Sequence, residues 1–552
     1  MSVIEQSSRG YLFGPLEKRG VLAGLRGGQL ITIASSLLTA LAILSILPGT
    51  MGLPFALGAV AVGAAISWVQ PGGRGVDEWI PVLFRWFIGT TTKRNQWFSV
   101  LPLLGSTDTP DDRRVQFDEA PPGAKARPPR GNSKGTPPKK RTRNPIKRFL
   151  GTDTSPNGSK GSGSQDPPLP PSLQGLIILE VPVGEGLATI GVIKDSRAGT
   201  FTGVLAVRGD TFALLEQGEK EQRLQAWADV LGGMARPSSY VHRVQWLERA
   251  VPDDGDALNR YLQDSRTQPD SAPTARSYID LLEQYGPVSQ QHETFVAVQV
   301  SANKAGRVIK KAGGGDKGAC LVLIREIRNL ADSLASADIH VDGVLSPRLL
   351  ALTFRNAFDP HARRSLVRKG RVDPSKAGVS PSNAWPLATE AKWDHYRSED
   401  VYHATFWIAE WPRLEVGPDF MSPLMVRTQR IRSVSLIMEP IDSTKAQREV
   451  ESAHTAYVSD EELRGRAGYM PSERRRRELD GVLRREQELA DGFAEYRFAG
   501  YVTVTGSTEV ELEEACTEIE QAAQQARLEL RRLYGEQDVA FTCTLPLCRG
   551  LN

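Results

Sequence analysis

The chain has 552 residues, 40% hydrophobic and 24% charged, with a formal net charge of +3. That composition suits a globular protein of two or three folding units and excludes both a wholly disordered chain and a uniformly basic nucleic-acid binder. Four cysteines, Cys320, Cys516, Cys543 and Cys548, form no CxxC pair, which points to a reducing compartment and core packing rather than a disulfide or zinc framework.

No charged side chain occurs from Gly27 to Gly73. Residues 29–47 and 53–69 each offer about the 17–25 apolar residues that cross a bilayer as a helix, and Pro48, Gly49 and Gly52 mark a tight turn between them. Basic residues stand only outside the pair, so the positive-inside rule predicts a two-span hairpin in a bacterial inner membrane with both termini cytoplasmic and no cleavable leader. The competing reading is a buried helical hairpin of a soluble core. Small residues at Ala59 and Gly63, and at Ala61 and Ala65, suit close helix approach.

The next segment alternates Trp79, Trp86 and Trp97 with Arg85, Lys93 and Arg94. It reads either as a helix along the inner membrane surface, making Trp79 and Trp86 candidates for lipid binding, or as the first element of the following domain.

Residues 105–172 are rich in Pro, Gly, Ser, Lys and Arg and predict a disordered linker. Its run of Lys139, Lys140, Arg141, Arg143, Lys147 and Arg148 is a candidate tether to anionic lipid. A solvated spacer and attraction to DNA phosphates are the alternatives.

From residue 173 strand and helix patterns alternate to the end, predicting an α+β domain of mixed sheets with packed helices in split β-α-β units, divisible into 173–380 and 381–552. The hairpin unit is 1–104. Strands are expected at LIILEVPV, LATIGVIKD, HETFVAVQVSA, RIRSVSLIMEP and AGYVTVTG, and helices at CLVLIREIRNLADSL and, opened by Pro347, at PRLLALTFRNAF. Residues 509–533 predict one amphipathic helix, and residues 538–545 a central strand.

No catalytic motif is recognisable in the sequence. GGGDKGA at Gly313 to Ala319 lacks the spacing of a phosphate loop and reads as a turn before a helix. His340, His395 and His403 have no metal-ligand spacing, and Arg474 to Arg477 read as a solvated helix face. No cofactor, metal or catalytic residue is expected.

The early hairpin and basic aromatic segment resemble the two-span PrgI-like subunit of type IV secretion systems. SVSLIMEPIDSTKAQREVESAHT, GYVTVTGSTEVELEEACTEIEQAA and LELRRLYGEQDVAFTCTLPLCRGL resemble the amino-terminal, non-motor domain of type IV assembly ATPases. With GVIKDSRAGTFTGVLAVRGDTFALLE, the whole resembles actinobacterial membrane proteins of type IV-like transfer clusters. This resemblance implies a non-catalytic docking subunit in an oligomeric assembly with other membrane subunits, anchoring a separate secretion or conjugation ATPase. Pro546, Arg549 and Leu551 would then point to the ATPase. Two other readings stand beside it: an EccE-type component of type VII secretion, and a membrane-bound enzyme with an unrecognised site.

Overall fold

A computed structural model describes residues 27–46, 52–68, 75–99, 169–184, 188–209, 212, 215–252, 272–285, 290–363, 365–366, 377–426, 428–452, 455 and 473–551. The basic run Lys139 to Arg148 and almost all of the expected linker lie outside the described residues.

The helices are α1 (Gly27–Ile46), α2 (Gly52–Trp68), α3 (Val76–Thr91), α4 (Gln217–Met234), α5 (Pro273–Tyr285), α6 (Gly306–Lys311), α7 (Gly315–Ser336), α8 (Pro347–Phe358), α9 (Ser422–Met425), α10 (Glu473–Ala490), α11 (Glu509–Gln525) and α12 (Gln537–Phe541). The strands are β1 (Gln96–Phe98), β2 (Leu176–Pro182), β3 (Thr189–Asp195), β4 (Thr200–Gly209), β5 (Val241–Pro252), β6 (Gln290–Ser301), β7 (Ile339–Val344), β8 (Ala388–Ala391), β9 (Tyr396–Ser398), β10 (Val401–Glu410), β11 (Ile431–Pro440), β12 (Tyr496–Gly506) and β13 (Glu529–Arg532).

Among the described residues, all thirteen strands join one sheet rather than the several mixed sheets expected. Its path is β1-β8-β9-β10-β12-β11-β5-β6-β4-β3-β2, with β13 added to β10 and β7 to β4. Each pairing is antiparallel.

From β8 to β2 the order is a palindrome about the β5–β11 junction, with β1 added outside β8. From β2 onward the chain runs three strands, then α4, β5, α5, β6, α6, α7, β7 and α8. From β8 onward it runs three strands, then α9, β11, α10, β12, α11, β13 and α12. Leu323, Ile327, Leu330 and Leu334 of α7 correspond to Leu512, Cys516, Ile519 and Ala523 of α11, and all eight are buried. Both helices end alike: Asp338 (φ 61°) and Arg527 (φ 58°) take left-handed backbone before β7 and β13 begin.

The halves differ where a second helix layer matters. In the first half α4 covers α7, burying Val230 and Met234 in the same core as Ile324 and pairing Arg223 with Asp338 at 2.8 Å. In α11 the places of Ile324 and Ala331 are held by Glu513 and Glu520, both exposed. Two carboxylates there oppose an apolar covering helix, and the matching connection contains only the four-residue α9.

One face of the sheet packs on α4, α6 and α7 in one half and on α9 and α11 in the other. The opposite face packs on α8 and the C-terminal segment. α8 begins as expected: Ser346 accepts the Leu349 N–H and Pro347 opens the helix.

The transmembrane hairpin does not stand. α1 and α2 pack together, with Gly63 so close to Ser36 that a Cβ at position 63 would collide with it. Yet among the described residues no helix is long and apolar enough to cross a membrane. α2 has 17 residues, about 26 Å at 1.5 Å per residue, against a bilayer core of about 30 Å. α1 opens on Gly-Gly-Gln and carries Ser35, Ser36, Thr39 and Ser45, whose hydroxyls donate to carbonyls of their own helix. The multi-pass placement in the inner membrane is overturned by the same finding.

Two C-terminal expectations also change. The helix from Glu509 ends at Gln525, and residues 529–532 form β13 on the edge of β10. Residues 538–545 form no strand: α12 is followed by a short 3-10 turn at Thr542–Thr544, both lying across the sheet face. Side chains from the sheet bond the segment's backbone instead: Gln245 reaches Cys543, Leu545 and Cys548, and Gln299 reaches Leu547.

Candidate docking surfaces

Two places concentrate the sequence candidates. The first is α3. Trp79 and Trp86 are half-buried and turn towards the domain: Trp79 stacks on Trp393 at 6.0 Å, and Trp86 meets the same ring edge-on at 5.1 Å. Tyr534 stacks on the far side of Trp393 at 6.4 Å. Val82 is buried beside Gly535, where a Cβ would stand 2.9 Å from the valine methyl. Arg85 reaches Asp538 at 3.4 Å, and burial pushes the Asp538 carboxyl above the usual range while Arg85 opposes the rise. β1 then pairs with β8, setting Trp97 opposite Thr389. The segment is thus the first element of the folded domain, and both tryptophans contact protein. The other side of α3 presents Ile80, Leu83, Phe84 and Phe87 outward.

The second place is the C-terminal segment. Pro546 is buried. Leu545, Leu547, Cys548 and Leu551 are buried as well. The Gln245 amide donates to the Cys543 and Leu545 carbonyls at 3.1 and 2.9 Å and accepts the Cys548 N–H at 2.7 Å. The Gln299 amide donates to Leu547 O at 3.1 Å, Arg243 to Leu551 O at 2.7 Å, and the Tyr501 hydroxyl to Gly550 O at 2.6 Å. Arg549 pairs with Asp195 at 2.6 Å and donates to Ser172 O. Pro546, Arg549 and Leu551 therefore clasp the two sheet halves together instead of extending from the sheet. The sequence signal for this was weak: Gln245 and Gln299 are buried in β5 and β6, and each needs partners across the face.

The histidines singled out in the sequence are dispersed. His403 is fully buried, with Nε2 2.8 Å from the Ser398 hydroxyl and Nδ1 2.9 Å from that of Thr505. Burial lowers its pKa to about 3, so the ring is neutral. The Ser398 hydroxyl in turn donates to Phe358 O at 2.6 Å. The pair resembles a nucleophile and base, but it is sealed from solvent and forms part of the core. His395 sits by Asp394 at 3.0 Å, and His340 lies on β7. Among the described residues no group of three His, Cys, Asp or Glu is placed to hold a metal. All four cysteines are buried, and burial raises the Cys320, Cys516 and Cys543 thiols to about 12. Gly313, Gly314 and Gly315 all have positive φ and lead into α7 as a turn. An open cleft of about 510 Å³ lies between Trp411, the end of α11 and β13, lined by Glu410, Arg413, Glu520 and Arg527. Arg413 already pairs with Glu410, and no nucleophile faces the cleft.

The described residues form one broad sheet with sealed polar groups and a presented apolar helix. Residues 288–408, from β6 into β10, match the family model of EccE, described as a putative type VII ESX secretion system translocon. The match supports a secretion-system component of the type VII class and gives no support to the type IV fusion. No curated protein matches the chain.

Proposed function

We propose that this protein is a non-catalytic assembly subunit of a type VII-like secretion apparatus. It holds neighbouring translocon subunits on its sheet scaffold, and any ATPase joins the assembly as a separate chain. The observation that carries this reading is the EccE match over residues 288–408, which crosses from the first half of the sheet into the second. The sealing of His403, Ser398 and the cysteines supports a structural role for the groups that would otherwise be catalytic candidates.

The test is gentle affinity purification of the full chain from its own cells. Type VII translocon subunits, with their ATPase, should co-purify. Recovery of a conjugation-type ATPase or a relaxase in their place would overturn the assignment.

A further inference from the structure

We propose that the outer face of α3 is a docking surface for anionic lipid, with the helix lying along the headgroup layer. Ile80, Leu83, Phe84 and Phe87 are 57%, 48%, 48% and 62% exposed. Their spacing of three and four residues puts them on one stripe of the helix. The opposite stripe, Trp79, Val82 and Trp86, is locked on the domain, so the exposed stripe is presented by a fixed helix rather than left by a loose one. Four large apolar side chains together exceed the scattered exposure normal for a surface.

Charge selects the occupant. Lys93 and Arg94 follow the helix directly and are exposed, whereas Arg85 turns to the domain side and pairs with Asp538. Aromatic and aliphatic residues on one stripe with cations at its margin is the pattern that seats a helix at the acyl boundary while Lys and Arg meet anionic headgroups. The neighbouring helices extend the apolar surface: Leu37, Leu38 and Leu41 of α1 and Leu53, Phe55 and Leu57 of α2 are also exposed, and both helices touch α3. The inference does not depend on the secretion reading.

The experiment uses Phe87→Cys in the full chain. All four native cysteines are buried, so a maleimide fluorophore marks position 87 selectively. A second sample carries the same dye on Asp400→Cys, a fully exposed site in the turn between β9 and β10. Vesicles contain phosphatidylglycerol with a nitroxide-labelled lipid, and controls replace phosphatidylglycerol by phosphatidylcholine. The position-87 dye should be quenched at least twofold on anionic vesicles, less on zwitterionic ones, and less again for Lys93→Gln/Arg94→Gln; the position-400 dye should not respond. An unquenched position-87 dye overturns the proposal. So does a dye that lipid leaves unaffected but purified translocon subunits shield, which would make the stripe a protein interface.

Discussion

Arg549 and Asp195 stand 354 positions apart in the chain and meet at 2.6 Å. Asp195 ends β3 in the first half of the sheet, whereas Arg549 belongs to the segment that follows α12 in the second. The contact closes a clasp that also engages Gln245, Gln299, Arg243 and Tyr501.

Deleting residues 546–552 should therefore unfold the domain. Leu547, Cys548 and Leu551 leave the core, and Leu547 and Leu551 alone represent about 1.5–3 kcal/mol each. The deletion also takes the Cys548 N–H from the buried Gln245 carbonyl, at about 1–3 kcal/mol, and leaves the Gln299 amide with Thr202 in place of Leu547. The sum approaches the total stability of an ordinary domain, about 5–15 kcal/mol. Circular dichroism of the truncated chain checks this. A cooperative melt near that of the parent would show that the segment is dispensable.

Trp393→Ala should release α3 without unfolding the sheet. It removes the ring that Trp79, Trp86 and Tyr534 contact, a loss of about 2–4 kcal/mol local to the helix. Limited proteolysis should then cut at the turn around Lys93 and Arg94 at least tenfold faster, with the main thermal transition little changed. Unaltered cleavage would mean that the aromatic contacts do not hold the helix.

His403 should make stability fall on acidification. Its folded-state pKa is depressed to about 3, below the ordinary 6.5, so between these values the unfolded chain binds the extra proton. The contribution is complete above pH 6.5 and is lost as pH drops towards 3, at up to about 1.4 kcal/mol per pH unit. Urea midpoints at pH 7 and pH 5 should differ more for the parent than for His403→Gln. Equal differences in both proteins would assign the acid sensitivity to other groups.

Gly318→Ala should destabilise by about 1–3 kcal/mol or more. A Cβ at this position on α7 would collide with the Ile309 carbonyl of α6, which is backbone and cannot turn away. Chemical denaturation reads the effect; a neutral result would require α6 to shift from α7.

Periodicity in the sequence was sufficient for β2, β3, β6, β11 and β12, for α7 with its stripe of Leu323, Ile327, Leu330 and Leu334, and for α8 with Pro347 at its start. These signals are local: side-chain alternation, helical spacing and caps act within a few residues. The same local signals misplaced the C-terminus. VAFTCT has strand-forming residues, but strand formation depends on a pairing edge, and here the sheet face offered Gln245 and Gln299 as backbone partners to the segment instead. The end of α11 was equally hidden, because Arg527 takes left-handed backbone without the glycine that usually marks it. Apolar composition marked α1 and α2 as helices, but the span reading failed because no described helix combines the length and apolarity that a bilayer requires. Only the tertiary structure could turn Trp79 and Trp86 towards Trp393, pair Arg549 with Asp195 and fold two halves into one palindromic sheet, because each of these joins residues too distant in the chain for any local pattern to record.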